Sequence, residues 1–182
     1  GLPVNKILCS TNVNDVLRRF IETGELAPEM TLPSVAPSMD IQIPSSLERL
    51  IFDFTDGASS FYDTLLKEHK AKLSDENIIK LNHIFSSSTF LDDDIKSEIK
   101  SLYEEFGSIF DPHSVTSIRM ALDNQDSVPT VAVATASPEK FSNVIAPLIE
   151  TSSEVEIDDT EEYLKIENDK SAISESIKAY FS

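Results

Sequence analysis

The sequence predicts an α/β protein that is mostly helical, and three observations carry that reading. Two short apolar runs, near residues 4–9 and 130–135, have the composition of buried strands. Each is followed within a few residues by a helix start, giving a strand-loop-helix unit at either end. Between them, apolar residues recur at spacings of three and four, the period of helices that face a core.

In the first unit, Val4, Ile7, Leu8 and Cys9 form the apolar run. Asn14 can then cap a helix through Val16, Leu17, Phe20 and Ile21, which Gly24 stops. Prolines at 28, 33, 37 and 44 deny regular structure to the span between them, so Pro28 to Pro44 is a long loop of the kind that often carries function. Ser45 or Ser46 opens a short helix around Leu47, Leu50, Ile51 and Phe52. Two helical stripes follow, one from Phe61 to Leu73 and one from Ile78 to Phe85. The clearest helix carries Ile95, Ile99, Leu102, Tyr103 and Phe106. It begins at Asp92-Asp93-Asp94, where negative charge suits the positive end of the helix dipole, and Gly107 closes it. Asp111-Pro112 reads as a cap followed by a first-turn proline, opening a helix through Val115, Ile118, Ala121 and Leu122. Thr130-Val131-Ala132-Val133-Ala134-Thr135 reads as a parallel strand covered on both faces. It runs into Ser137-Pro138, a second cap-and-proline pair, and a helix with Phe141, Val144, Ile145 and Leu148.

Two strands do not complete a parallel sheet, so the neighbours are expected upstream of Gly1 and the chain reads as a fragment. Residues 1–149 are taken as one piece and 150–182 as an acidic segment. In the latter, Ile173, Ile177, Ala179, Tyr180 and Phe181 predict a closing helix.

A formal charge of −17 repels both nucleic acid and anionic membrane, so neither is an expected partner. The single cysteine, Cys9, cannot form an internal disulfide, and no Cys/His cluster has zinc spacing, so no metal is expected and a reducing, cytoplasmic setting fits. No apolar run reaches the length of a membrane span. Gly-rich phosphate loops, HExxH and Gly-x-Ser-x-Gly are absent, and His69, His83 and His113 are scattered.

Four local patterns go further when taken in order. Gly1-Leu2-Pro3 precedes Thr11-Asn12-Val13-Asn14-Asp15-Val16-Leu17; Ala36-Pro37-Ser38-Met39-Asp40-Ile41 precedes Ser45-Ser46-Leu47-Glu48-Arg49-Leu50; Asp111-Pro112-His113 opens a helix; and Ala134-Thr135-Ala136-Ser137-Pro138-Glu139-Lys140-Phe141 closes the series. Together they resemble the threonine synthase family, enzymes of the tryptophan-synthase-β-like fold type. Ser46 departs from the pattern, which commonly has Asn there, and Ser137 stands where many members have His. For His113 the simpler reading is a place beside a helix cap.

The resemblance implies a helix-rich fragment of that fold, from an enzyme that uses pyridoxal 5'-phosphate. The reaction it implies is a carbon–oxygen lyase acting on phosphates, converting O-phospho-L-homoserine and water to L-threonine and phosphate. Thr135 is implied as the hydrogen-bond partner of the cofactor's pyridine nitrogen, and Asn12, Asn14, Ser38, Asp40 and Arg49 as candidates for the substrate side. The loop holding Ser38 and Asp40 is expected near Thr135. The family's cofactor lysine and phosphate loop precede the Gly-Leu-Pro strand, and no lysine here stands in the family's Ser-Phe-Lys-Asp context. No catalytic residue is therefore assigned within this chain, its natural partner is the missing N-terminal half, and alone it is expected to be inactive. Two alternatives stay open: a threonine-synthase-like paralogue acting as a phospho-lyase, and a non-catalytic interaction module.

Overall fold

Ile7–Thr11 forms the first strand, β1, shifted slightly toward the C-terminus from the expected 4–9. The structure, a computed structural model, describes residues 3–57, 59–125 and 127–149, together with 171, 172, 174, 175 and 178. β1 pairs in parallel with Phe85–Thr89 (β4), in a register running from Ile7↔Phe85 to Thr11↔Thr89. A parallel partner needs a long crossover. Here it comprises the helices α1 (Val16–Thr23), α2 (Leu47–Phe54), α3 (Ser60–Glu68) and α4 (Asp75–Ile84), and the strands β2 (Glu25–Leu26) and β3 (Ala71–Lys72), an antiparallel pair. After β4 come α5 (Asp92–Phe106) and α6 (Pro112–Asp123), then a 3-10 turn, Pro138–Phe141, leading into α7 (Ser142–Ile145). The α/β class and the small parallel sheet are as the sequence predicts.

The partner strand is not the predicted one. Residues 129–135 are irregular, with Val131 and Val133 exposed to 83% and 64%. The composition of the run favours a strand, but a strand exists only where a neighbour takes its backbone groups. Hydroxyls on α6 take two of them: Ser117 Oγ donates to the Val133 carbonyl at 3.1 Å, and Ser114 Oγ accepts from the Thr135 amide at 3.0 Å. In the sequence, β4 reads only as the end of a helical stripe at Phe85. Its Ser86, Ser87 and Ser88 are half-buried, and their small side chains let α1 lie close against the strand.

Two apolar cores flank the sheet region. One gathers Val16, Phe20, Leu26, Leu47, Ile51, Phe61, Leu65 and Leu81 from the crossover, with the Phe20 and Phe61 rings edge-to-face at 6.3 Å. The other gathers Ala36 from the proline-rich loop with Ile95, Ile99, Leu102, Val115, Ile145 and Ile149. That loop is therefore anchored from below, by Ala36, into the α5–α6–α7 core. α6 is fixed against β1 by a 2.8 Å bond between the hydroxyls of Ser10 and Thr116.

Helix ends follow their capping chemistry. Asp111 caps α6, accepting from the amides of His113 and Ser114. The Asp94 carboxylate accepts the Leu91 amide ahead of α5, whose end is the left-handed Gly107. Asn14 does not cap α1: the cap position is Asp15, whose carboxylate instead holds Arg18 and Arg19, while the Asn14 side chain is used elsewhere. Gly24 ends α1 at φ +72, and a Cβ there would run into the Ile78 side chain; Gly107 has φ +65 with open space around it. Both Gly→Ala changes incur the left-handed backbone cost of roughly 1–2 kcal/mol, and Gly24→Ala adds the collision. Urea unfolding of the two variants should place Gly24→Ala clearly below Gly107→Ala; equal losses would mean that Ile78 moves aside freely.

The acidic piece 150–170 and the predicted closing-helix residues Ile173, Ile177, Ala179, Tyr180 and Phe181 lie outside the described residues, as do Gly1 and Leu2. Among the described residues no helix is long and apolar enough to cross a membrane.

Candidate functional site

The carboxyl end of β1 is where the chain concentrates buried polar side chains, and that edge of a parallel α/β sheet is where ligands usually bind. Immediately beyond Thr11 come Asn12 and Asn14, 0% and 3% exposed. The Asn12 Oδ1 accepts the Asn14 amide at 2.9 Å, closing a tight turn that fixes which way the Asn12 side chain points. Its Nδ2 then donates to Asp40 Oδ1 at 2.6 Å and to Ser34 Oγ at 2.7 Å. Asn14 pairs with both backbone groups of Leu32, donating to its carbonyl and accepting its amide, each at 2.8 Å. Asp40 also accepts from the Ser34 hydroxyl at 2.7 Å and the Ser34 amide at 3.0 Å. Four residues from two segments thus satisfy one another, and they shape the proline-rich loop against the end of β1.

A second chain of bonds starts from the α6 cap. Asp111 is fully buried. Its Oδ1 faces His113 Nδ1 at 2.7 Å and its Oδ2 accepts the Ser114 hydroxyl. His113 Nε2 accepts the Ser38 amide at 3.1 Å, so that nitrogen carries no proton and Nδ1 does. Phe141 meets the His113 ring edge-on, centroids 4.8 Å apart. Ser114 accepts the Thr135 amide. Burial pushes the Asp111 carboxyl up, but the hydrogen bonds from Ser114 and His113 outweigh it and hold the group below the ordinary carboxylate range.

Of the residues singled out from sequence, Asn12, Asn14 and Asp40 come together directly. Ser38 and Thr135, both exposed, are joined through His113, Asp111 and Ser114. The Thr135 hydroxyl has no hydrogen-bond partner among the described residues. Arg49 lies exposed on α2, and no bond or ion pair links it to either network. Ser34 and Ser114 were not anticipated: a serine in a loop or a first helical turn carries no signal of its partner. The Asp-Pro-His string marked the cap but not the reach of His113 to Ser38.

Parallel strands joined by a helical crossover, with a buried polar network at the carboxyl end of β1, define an α/β segment with its polar groups gathered at the sheet edge where α/β folds usually bind ligands. No family model matches the chain. Comparison with known proteins nevertheless gives a consistent answer. The chain is 34% identical over 151 residues to the threonine synthase of Pseudomonas aeruginosa, an alignment covering 80% of this chain and 32% of that protein. It is 28% identical over 171 residues to human threonine synthase-like 1, covering 90% of this chain and 23% of that one. Its fold matches the crystal structure of PLP-bound threonine synthase from Brucella melitensis with a TM-score of 0.79, at 27% identity over 86% of this chain and 35% of that one. By sequence and by fold the chain is a relative of the threonine synthases. It spans about a quarter to a third of the length of the curated relatives it matches.

Proposed function

We propose that this chain is the part of a threonine synthase that carries Thr135 and the substrate-side loop. The enzyme's reaction would be the conversion of O-phospho-L-homoserine and water to L-threonine and phosphate. The observation that carries the reading is the join between Ser38 and Thr135: two exposed residues from distant motifs of the family pattern are tied to one buried carboxylate.

Pyridoxal phosphate, bound in the Brucella relative, is the cofactor on this reading. The donor set fits one end of it. Thr135 is exposed and its hydroxyl has no partner among the described residues, so it is available to the pyridine nitrogen. When bound, the cofactor supplies an electron sink for carbanions. A neutral hydroxyl at its ring nitrogen hydrogen-bonds without holding that nitrogen protonated, as a carboxylate would. On the substrate side, Ser38 and Arg49 are the exposed candidates, with polar or cationic groups suited to phosphate or carboxylate. Asn12, Asn14 and Asp40 serve by fixing the loop that presents Ser38. The amine that holds the cofactor and the loop that holds its phosphate would come from the remaining two thirds of the enzyme. The catalytic region would end near residue 149, and the protein would work in the cytoplasm.

The test is an assay of the 182-residue chain alone and of a protein joining it to that remainder. The joined protein should release phosphate and threonine from O-phosphohomoserine, and the chain alone neither. Ketobutyrate in place of threonine would move the protein to the threonine-synthase-like paralogues, and turnover by the isolated chain would overturn the reading. In the joined protein, Thr135→Val should weaken pyridoxal phosphate binding about 3- to 10-fold, the effect of one net hydrogen bond, while Thr135→Ser keeps most of it. Fluorescence titration of the cofactor measures both.

A further inference from the structure

We propose that Asp111 is a positioning residue that sets the separation of Ser38 from Thr135, acting through His113 and Ser114. The proposal rests on the reading of Ser38 and Thr135 as ligand-facing. A helix cap needs one carboxylate oxygen, and Oδ1 meets that need by accepting the amides of His113 and Ser114. Two more bonds have nothing to do with capping. Oδ1 also receives the Nδ1 proton of His113, and Oδ2 receives the hydroxyl proton of Ser114.

Those two bonds decide what each side chain offers outward. With its proton held on Nδ1 by Asp111, the neutral His113 ring presents a bare Nε2, which accepts the Ser38 amide at 3.1 Å. With its proton committed to Oδ2, Ser114 presents lone pairs, and one accepts the Thr135 amide at 3.0 Å. One buried carboxylate thus converts two ambivalent side chains into acceptors aimed at two backbone donors on separate segments. Thr135 lies in an irregular stretch with no helix or sheet ladder to hold it, while Ser38 lies in a short 3-10 turn whose neighbours Ala36 and Asp40 are anchored but whose own amide is taken only by His113. Thr135 makes no other hydrogen bond among the described residues. The Phe141 ring, six residues beyond Thr135, packs on His113 and locates the same stretch a second time.

Amide exchange and histidine nitrogen-15 shifts, measured by NMR on the joined protein or on the 182-residue chain, test this. The shifts should report a protonated Nδ1 and a bare Nε2 on His113. His113→Phe keeps a ring beside Phe141 but removes the acceptor, so the Ser38 amide should exchange about 3- to 10-fold faster; His113→Gln, whose amide oxygen accepts, should restore it. Ser114→Ala should do the same to the Thr135 amide, with Ser114→Thr restoring it. Asp111→Asn keeps an oxygen for the cap and should free both amides together while the first turn of α6 stays protected. If Asp111→Asn alters only that first turn, or if His113→Phe and Ser114→Ala leave Ser38 and Thr135 unchanged, Asp111 is a cap and nothing more. If Asp111→Asn does not fold, the His113 and Ser114 pairs still carry the decision. In the joined enzyme, His113→Phe should lower kcat with little change in KM, and His113→Gln should recover it. Exchange behaving as expected in a protein that makes no threonine would leave the positioning role in place and overturn only the proposed reaction.

Discussion

Replacing Asp111 by Ala should cost the chain about 3 kcal/mol or more, and the part of that loss owed to the carboxylate charge should disappear in acid. The side chain is fully buried and serves four donors: the amides of His113 and Ser114, the His113 ring and the Ser114 hydroxyl. Loss of a cap alone costs about 1 kcal/mol, and each buried donor left without an acceptor adds roughly 1–3 kcal/mol where water cannot enter. The acid dependence follows from the depressed carboxyl. The folded state binds this proton less readily than the unfolded state does. The charge-linked part of the stabilisation is therefore complete above the unfolded-state value of about 3.9 and is lost as pH falls through the lower folded value. The gap between the urea midpoints of the parent and of Asp111→Ala, followed from pH 7 down to pH 2, should narrow toward the acid end. A gap that stays constant would show that the carboxylate charge contributes nothing and that the loss is one of packing.

Phe20→Ala should be of similar or greater size, about 3–5 kcal/mol, the usual result of removing a fully buried aromatic side chain without filling the space. Phe20 is 0% exposed, sits on α1 among Val16, Leu26, Leu47, Ile51 and Leu81, and meets Phe61 edge-to-face. Against a total stability of about 5–15 kcal/mol for a domain, that loss can unfold the chain at physiological temperature. Phe20→Leu, which refills most of the volume, should recover over half of it in thermal unfolding followed by circular dichroism. An alanine variant within 1 kcal/mol of the parent would mean that α1 is not the centre of this core.

Most helices were legible because their signals are local. Asp92 to Phe106, with acidic residues at its start and Gly107 at its end, carries its own boundaries, and so does the Asp111-Pro112 start. The strands were not equally legible, because pairing is a property of two segments. Ser86, Ser87 and Ser88 form a strand because β1 lies beside them, and Thr130 to Thr135 fails to form one because no described segment does. The site divides in the same way. Motifs picked out Asn12, Asn14, Ser38, Asp40 and Thr135, and geometry joined them through Ser34, His113 and Ser114, whose partners lie up to 75 positions away in sequence. Arg49, chosen from the same motif as Ser38, is left apart from both networks because it sits on the exposed face of α2.

The pairing of β1 with β4 also bears on how the chain folds. Each residue of β1 meets one 78 positions later in the sequence, across four intervening helices. Joining segments so far apart carries a large loop-closure entropy before any contact repays it. The helices of the crossover can assemble first on local contacts, bringing the ends of β1 and β4 within reach. The buried polar network at the end of β1 would then be among the last parts to form, after the helical body that carries it.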